Sequence, residues 1–321
     1  MNPNAQPGPS ISVVVPVYNG AATLAELVAR VQAALAPEAR RLEVILVNAG
    51  SADASWTRIA ELAARDAGVR GVDLMRNYGQ HNAVLVGIRE ARGDVVVTLD
   101  DDLQHPPEEV PRLLAKLAEG YDIVYGIPDQ PQHGLWRNFT SWVTKLMLSH
   151  VMGIKGIADT SALRVFRTQI RDAFANYIGP DVDIDALLAW GTDRYAVVPV
   201  RHDARKSGTS AYTFRKLVLH TLNMLTSFSV VPLRLASYIG FIFVLFGLSL
   251  FIFVIGRYLL EGGSIPGFPF LASAIALFSG AQLFALGIIG EYLARMHFRV
   301  MGRPPSAVRS RTGADRPGDQ G

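Results

Sequence analysis

Short apolar runs alternate with amphipathic segments over the first two-thirds of the chain. Residues 11–17 and 94–99 form Val-rich runs, which are typical of buried strands, whereas residues 22–35 repeat Leu and Val at helical spacing. Strands are predicted at residues 11–17, 42–47, 69–75, 94–99, 121–125, 162–166 and 195–200, and helices at 22–35, 53–65, 79–91, 107–118 and 183–190. The alternation predicts an α/β fold with a mostly parallel sheet flanked by helices.

The last third of the chain is apolar over much longer distances. Residues 235–256 and 266–290 contain no charged side chain. Each stretch can cross a hydrocarbon core of roughly 30 Å, whereas a core helix of a soluble protein usually ends within about 14 residues. We therefore predict two transmembrane helices. Small residues in the second stretch suit close helix packing and are compatible with a homo-oligomer.

Basic residues predict the orientation of these two helices. Arg and Lys residues lie before the first helix and after the second, while the connection between the helices has only two charged residues, Arg257 and Glu261. By the positive-inside rule, a multi-pass protein of the cytoplasmic (inner) membrane is predicted, with both termini and the active site in the cytoplasm. The amphipathic segment 213–233 fits either a helix in the membrane interface or a helix packed on the preceding domain.

Composition excludes several classes of protein. The chain has no cysteine, so disulfides and thiolate metal sites are absent, and its net charge of only +3 predicts no nucleic-acid partner. No G-x-G-x-x-G follows the first strand and no G-x-x-x-x-G-K-[ST] occurs, which excludes dinucleotide dehydrogenases and P-loop ATPases. Residues 1–10 are polar and rich in Pro and Gly, which predicts a disordered start without a signal peptide.

Three aspartates, Asp100, Asp101 and Asp102, follow the predicted strand at residues 94–99. The carboxyl edge of a parallel sheet is where α/β folds bind ligands. Alternate side chains of an extended segment point the same way, so Asp100 and Asp102 can share a hard cation such as Mg²⁺ or Mn²⁺. Capping of the next helix is the alternative, but a cap needs one Asp, and three adjacent carboxylates repel one another without a counter-ion.

Several motifs in a fixed order carry a family resemblance. They are V-V-P-V-Y-N (14–19), R-N-Y-G-Q-H (76–81), L-D-D-D-L-Q-H-P-P (99–107), R-K-S-G-T-S-A-Y (205–212), P-L-R (232–234) and G-E-Y-L-A-R (290–295). Together they resemble family 2 glycosyltransferases with a GT-A fold. Within that family the chain is most similar to the polyprenyl-phosphate glycosyltransferases, which include dolichyl-phosphate mannose synthases, bactoprenol glucosyltransferases and undecaprenyl-phosphate formamidoarabinose transferases.

The resemblance implies a role for each matching residue. The metal, Mg²⁺ or Mn²⁺, is expected at Asp100, Asp102 and Gln104. The nucleotide is expected at Pro16, Tyr18, Asn19, Ser51, Asp53, Arg76 and Asp101. The reacting centre is expected at Asp159, Arg164 and Arg205, with Asp159 acting as a base or orienting the acceptor. The acceptor phosphate is expected at Arg205, Lys206, Arg201, Ser210 and Tyr212.

The sequence departs from the family pattern in three places. Where the family usually has Y-N-E, this chain has Gly20 in place of the Glu. Where it usually has D-D-G-S or N-D-G-S, the Asp at the second position is replaced by Ala49. Where it usually has S-K-Y, the Lys is replaced by Ala211. The first two changes remove carboxylates from the expected nucleotide pocket. They leave the base of the nucleotide open, with a UDP-sugar favoured.

The resemblance implies inverting, metal-dependent transfer of a sugar from a nucleotide-diphosphate sugar to a polyprenyl phosphate, yielding a lipid-linked sugar for the cell envelope. Two alternatives are a processive polysaccharide synthase, although its Q-x-x-R-W motif is missing, and a catalytically weak membrane scaffold that retains the fold. The predicted organisation is a disordered start (1–10), a GT-A catalytic domain (11–212), an interfacial segment (213–233), two transmembrane helices (235–256 and 266–290) and a basic cytoplasmic tail (291–321).

Overall fold

A computed structural model describes residues 8–129, 160–179, 182–203, 230–261, 267–302 and 304–313. The chain divides into two compact units. The first comprises residues 1–212 together with 303–321, and the second comprises residues 213–302. We call them the catalytic unit and the helical unit.

The catalytic unit contains a mixed eight-stranded sheet of order β7-β5-β6-β4-β1-β2-β3-β8. Its strands are β1 (Ser10–Val17), β2 (Arg41–Asn48), β3 (Val69–Leu74), β4 (Val95–Thr98), β5 (Ile123–Pro128), β6 (Arg164–Arg167), β7 (Tyr195–Val200) and β8 (Val308–Thr312). The pairs β1–β2, β1–β4, β2–β3 and β5–β7 are parallel. β6 lies antiparallel between β4 and β5, and β8 lies antiparallel to β3. The parallel half was predicted, while the reversal at β6 gives the sheet its mixed character.

Helices cover the sheet with the apolar faces that their spacing predicted. They are α1 (Leu24–Leu35), α2 (Ser55–Arg65), α3 (Gln80–Glu90), α4 (Val110–Ala118, preceded by a 3₁₀ turn at Pro107–Glu109) and α5 (Ile184–Gly191). In α1, for example, Leu24, Leu27, Val31 and Leu35 are fully buried. They pack with the Val and Ile side chains of β1 in one continuous core. This core fixes the carboxyl ends of the central strands, from which the site is built.

The last strand, β8, lies in a segment that the sequence placed in a basic tail. It pairs with β3 at the sheet edge, with Arg311 opposite Val72. Two ion pairs fasten it: Arg311 to Glu90 at 2.9 Å and Arg309 to Asp73 at 3.6 Å. The Val-Arg-Ser-Arg-Thr sequence has too few apolar residues to stand out as a strand, so pairing with β3 decides its structure.

The helical unit contains α6 (Val231–Glu261) and α7 (Phe268–Val300), both longer than the spans predicted at residues 235–256 and 266–290. Within them, the stretches Val231–Arg257 and Leu277–Val300 are long and apolar enough to cross a membrane. Most of their described side chains are exposed, with Ala236 a buried exception. The two helices contact each other through Phe278, whose ring centroid lies 5.8 Å from that of Phe243. Residues 213–229, the greater part of the predicted interfacial segment, lie outside the described residues.

Candidate active site

The carboxyl ends of β1 and β4 open into a cavity of about 280 Å³, here called the acidic cavity. The two strands are parallel neighbours, with Val14 beside Thr98, so their carboxyl ends meet at the same edge of the sheet. The cavity wall comes from the residues that follow β1, β2 and β4 and from the start of α3. Its lining residues are Pro16, Val17, Tyr18, Ala49, Asn77, Gly79, Gln80, Asp100, Asp101 and Asp102.

The turn after β4 presents its carboxylates by means of an unusual backbone conformation. Leu103 has a φ of +60°, in the left-handed region that most side chains avoid, yet its side chain is almost fully buried. This burial holds the turn, and the Gln104 N–H donates to Asp102 Oδ1 at 3.1 Å. Strain at the centre of D-D-L-Q is therefore offset by core packing directly beside two of the predicted metal ligands.

The donor set in this turn fits a hard divalent cation. Asp100 and Asp102 offer carboxylate oxygens, and Gln104 offers an amide oxygen, which are the ligand types that Mg²⁺ and Mn²⁺ prefer. Among the described residues, no three His, Cys, Asp or Glu side chains converge so that they alone could hold a metal ion. A cation here would therefore complete its coordination with oxygens of a bound diphosphate and with water, as Mg²⁺ commonly does.

The first turn of α3 approaches the acids from the other side of the acidic cavity. Gln80 is the first residue of α3, and its amide Nε2 donates to Asp100 Oδ1 at 2.6 Å. Gly79, just before the helix, has a φ of +92°, which favours glycine. The backbone N–H groups and the partial positive charge at a helix start suit an anion such as a diphosphate.

Asp101 lines the acidic cavity together with its two neighbours, and its carboxylate also contacts the end of β1. Its Oδ2 accepts the backbone N–H of Tyr18 at 3.1 Å. It also lies over Gly20, where an added Cβ would be only 2.3 Å from Oδ2. The absence of a side chain at position 20 is thus what allows the Asp101 carboxylate to take this position.

Asn19, Ser51 and Asp53 form the framework behind the acidic cavity rather than its lining. Asn19 adopts a φ of 54°, its N–H donates to Ser51 Oγ at 3.0 Å, and its Oδ1 accepts the Ala52 N–H at 2.9 Å. Burial opposes ionisation of Asp53, but hydrogen bonds from Ser55 and Ala21 outweigh it and lower the pKa of Asp53. These bonds tie the turn after β1 to the turn after β2.

Two predicted arginines have partners away from the acidic cavity. The Arg76 guanidinium lies 4.6 Å from the ring centroid of Tyr78, while its backbone packs against Gly50. Arg201 donates from Nε to Glu109 Oε1 at 2.8 Å. The other predicted acceptor-phosphate residues, Arg205, Lys206, Ser210 and Tyr212, lie outside the described residues, as does Asp159.

A second cavity of about 220 Å³, the Asp185 cavity, shares Gln80 with the first. It is lined by Gln80, His81, Val84, Thr160, Ser161, Ala162, Arg164 and Asp185. Arg164 is buried; its Nε donates to the Ser161 carbonyl at 2.9 Å and lies 3.4 Å from Asp185 Oδ1. The predicted Arg164 therefore lines a cavity that shares Gln80 with the acidic cavity.

Asp185 did not emerge from the sequence as a site residue. Burial raises its pKa to about 6, although the charge of Arg164 and the nearby Tyr125 hydroxyl oppose the shift and Asp183 adds to it. The two acids at residues 183 and 185 look like ordinary helix-start residues, and Asp183 does cap α5 by accepting the Ala186 N–H. The only signal for Asp185 was a second acid in a strongly apolar helix.

His105 and His202 pack edge to face behind the metal acids, with ring centroids 4.9 Å apart. Burial, followed by the charges of His202 and Arg164, lowers the pKa of His105 to about 4, although Asp102 opposes this shift. His105 is thus neutral at physiological pH. It contributes a polar but uncharged surface beside Asp102.

The family model and the relatives that match this chain are all glycosyltransferases. A family model described as "Glycosyl transferase family 2" matches residues 12–177. An undecaprenyl-phosphate 4-deoxy-4-formamido-L-arabinose transferase from Klebsiella pneumoniae is 36% identical over 302 residues, covering 93% of this chain and 92% of that protein. A transferase of the same name from Pseudomonas aeruginosa is 38% identical over 298 residues, covering 92% and 88%.

Solved structures share the fold. Glucosyl-3-phosphoglycerate synthase from Mycobacterium tuberculosis, in complex with phosphoglyceric acid, aligns with a TM-score of 0.51 and 20% identity over 69% of this chain and 79% of that chain. The same protein in complex with Mn²⁺, uridine diphosphate and phosphoglyceric acid gives a TM-score of 0.51 at 19% identity, covering 68% and 77%.

Proposed function

This chain belongs to glycosyl transferase family 2 and is a GT-A-fold glycosyltransferase, as its motifs predicted, and we propose that it transfers a sugar from a nucleotide-diphosphate sugar to a polyprenyl phosphate. The observation that carries the proposal is the acidic cavity, where Asp100 and Asp102 face the start of α3. The acceptor is supported by the relatives, whose names state transfer to undecaprenyl phosphate.

The acidic cavity holds the nucleotide-diphosphate end of the sugar nucleotide. Asp100, Asp102 and Gln104 would hold Mg²⁺ or Mn²⁺, which when bound neutralises the negative charge that develops on the leaving diphosphate. The amino-terminus of α3 adds N–H groups from the opposite side of the acidic cavity, and the Gln80 amide donates to Asp100 at 2.6 Å. The nucleoside lies toward Pro16, Tyr18 and Asp101, and uracil is the base we favour.

The acceptor needs little activation. A phosphate monoester has a second pKa near 6, so it is largely dianionic at neutral pH and can attack the anomeric carbon directly, with inversion. The main tasks of the protein are alignment of two anions and compensation of their repulsion. We assign these tasks to Arg205 and Lys206, with Ser210 and Tyr212 shaping their loop and Asp159 acting as base or orienting the acceptor.

The two apolar helices support a reaction at a bilayer. α6 follows the catalytic unit in the chain, and the chain after α7 returns to the catalytic sheet as β8. We propose a multi-pass protein of the cytoplasmic membrane, with the active site and both termini in the cytoplasm, where nucleotide sugars are available. The lipid-linked sugar so formed would serve envelope glycan or lipid modification.

The test is product identification. Purified protein is incubated with a panel of nucleotide sugars and short-chain polyprenyl phosphates in Mg²⁺ or Mn²⁺, and the glycolipid is identified by mass spectrometry. Asp102→Asn removes one carboxylate from the metal set, and we expect at least about 100-fold slower turnover. Asp193→Asn, an exposed aspartate outside both cavities, is the control and should be as active as wild type.

Each other outcome contradicts a specific part of the proposal. A ladder of polymer would identify a processive synthase. Absence of glycolipid together with no nucleotide-sugar binding by calorimetry would identify a scaffold that retains the fold. Full turnover of Asp102→Asn, or of wild type in a chelator, would refute the metal assignment.

A further inference from the structure

The Asp185 cavity contains a buried acceptor that the proposed mechanism does not use. Asp185 is the second residue of α5, and only 12% of its side chain is exposed. Its Oδ1 is fully buried and has no hydrogen-bond partner within the described part of the chain. Arg164 Nε lies 3.4 Å away, but it donates to the Ser161 carbonyl at 2.9 Å instead. A buried oxygen without a donor is costly, so its presence in a cavity wall points to a ligand group that donates to it.

The cavity has the position and size for one small ring. Its volume is about 220 Å³, and Gln80, which holds Asp100, lines both cavities. Pockets for drug-sized ligands have roughly 300–1,000 Å³, so this one suits a single sugar ring rather than a long chain. A ligand whose diphosphate lies at Asp100 and Asp102 would bring the attached sugar to this side.

The charge of the wall selects the kind of group that can enter. Arg164 is the one permanently cationic side chain among the lining residues given above, and it faces Asp185. Asp183 lies close enough to raise the pKa of Asp185. The Ile184 N–H donates to His81 Nδ1 at 3.1 Å, so a neutral His81 carries its proton on Nε2. The lining has one carboxylate and one guanidinium, and Asp183, outside the lining, adds a second negative charge close by. This excess of negative charge favours a hydroxyl or ammonium group over an anion.

We propose that the Asp185 cavity receives the sugar of the nucleotide sugar, and that Asp185 Oδ1 accepts a hydrogen bond from a hydroxyl or ammonium group of that sugar. Asp185 is then a specificity-determining residue, which selects neutral or amino sugars over uronic acids at this position. The inference rests on the proposed function, since it assumes a nucleotide-sugar substrate in the acidic cavity.

The test measures how much the sugar adds to nucleotide affinity. By calorimetry in Mn²⁺, the affinity for UDP is compared with those for UDP-glucose, UDP-galactose, UDP-glucuronate and the UDP-linked 4-amino and 4-formamido arabinoses. For the tightest of these, Asp185→Asn should reduce the gain over UDP by about 10-fold or more, because a charge-assisted hydrogen bond is lost. Affinity for UDP itself should stay unchanged.

Two further variants separate this role from general damage. Glu43→Gln is a matched control: Glu43 is buried and lies 3.4 Å from Arg70, but near the amino-terminal end of β2, away from both cavities. It should leave both affinities unchanged. Ala162→Leu keeps Asp185 and fills the cavity, so it too should remove the gain from the sugar. It also serves as the test if Asp185→Asn does not fold.

The other outcomes overturn the inference in distinguishable ways. If Asp185→Asn and Ala162→Leu keep the full gain, Asp185 only supports Arg164, and the proposed function stands. If wild type binds UDP but no sugar adds affinity, or if UDP-glucuronate binds tightest, the sugar assignment of this cavity is wrong. If wild type binds neither UDP nor any UDP-sugar, the nucleotide-sugar donor of the proposed function fails instead.

Discussion

Gly20 and Asp101 act as one unit at the scale of single residues. The family pattern places an acid at position 20, and this chain has glycine there. The structure puts a carboxylate in the same region, because Asp101 Oδ2 lies 2.3 Å from where a Cβ of residue 20 would be. A carboxylate beside the nucleotide pocket is thus supplied by the turn after β4 instead of the turn after β1. Ala49 has no comparable replacement among the residues that line the acidic cavity.

This coupling predicts a non-additive pair of substitutions. Gly20→Ala should displace the Asp101 carboxylate from the Tyr18 N–H and weaken UDP binding in Mn²⁺ by roughly 10-fold, the effect of losing one charge-assisted hydrogen bond. Asp101→Ala should weaken binding about equally. The double variant should be no worse than Asp101→Ala alone, because no carboxylate is left to displace. Calorimetry on all four proteins measures this, and additive losses would show that the two residues are independent.

At the scale of elements, apolar periodicity was enough where an element is buried. β1 was predicted at residues 11–17 and occupies Ser10–Val17, and the helix predicted at residues 22–35 is α1 at Leu24–Leu35. β8 was not predicted from the sequence, because its partner β3 is distant in the chain and because its side chains are mostly polar. Its formation depends on backbone pairing and on ion pairs to Asp73 and Glu90, which no local pattern reveals.

In the candidate site too, features of the local sequence were predicted, whereas those that depend on residues distant in the chain were not. The acids after β4 were predicted because a strand with a carboxylate cluster is a local feature of the sequence. Asp185 was not, because its importance depends on Arg164 and Gln80, which come from two other elements. Motif resemblance placed Asn19, Ser51 and Asp53 near the nucleotide; the structure shows them bonding the two turns together.

Arg201 and Arg205 are both predicted phosphate ligands, and the pairing of Arg201 with Glu109 makes different losses on substitution the expected result. Arg201 is 67% exposed on its side chain and pairs with Glu109 at the amino end of α4. Because the Arg201 guanidinium already faces a carboxylate that Arg112 also contacts, Arg201→Ala should change turnover at limiting polyprenyl phosphate by less than about fivefold. Arg205→Ala should lower it by roughly 10- to 200-fold if Arg205 contacts the phosphate. If the two variants lose turnover equally, Arg201 also binds the acceptor phosphate.

At the scale of the whole molecule, the path of the chain constrains its membrane topology. The catalytic unit precedes α6, and β8, which follows α7, pairs with β3 inside the same sheet. A folded domain cannot be assembled from segments on opposite sides of a bilayer. If α6 and α7 both span, the start of α6 and the end of α7 must therefore lie on the side of the catalytic unit. The distribution of basic residues around the two helices predicts the same orientation.

The connection between α6 and α7 should consequently be exposed on the opposite side, outside the cell. Because the natural chain contains no cysteine, a single introduced thiol reports its own location. Gly263→Cys, in the connection, should react with a membrane-impermeant maleimide on intact cells from which any outer membrane has been permeabilised. Ser306→Cys, between α7 and β8, should react only after the inner membrane is opened. Labelling of both in intact cells, or of neither until lysis, would contradict a two-span hairpin. Labelling of Ser306→Cys alone would place the catalytic unit outside, away from cytoplasmic nucleotide sugars, and would overturn the proposed location of the reaction.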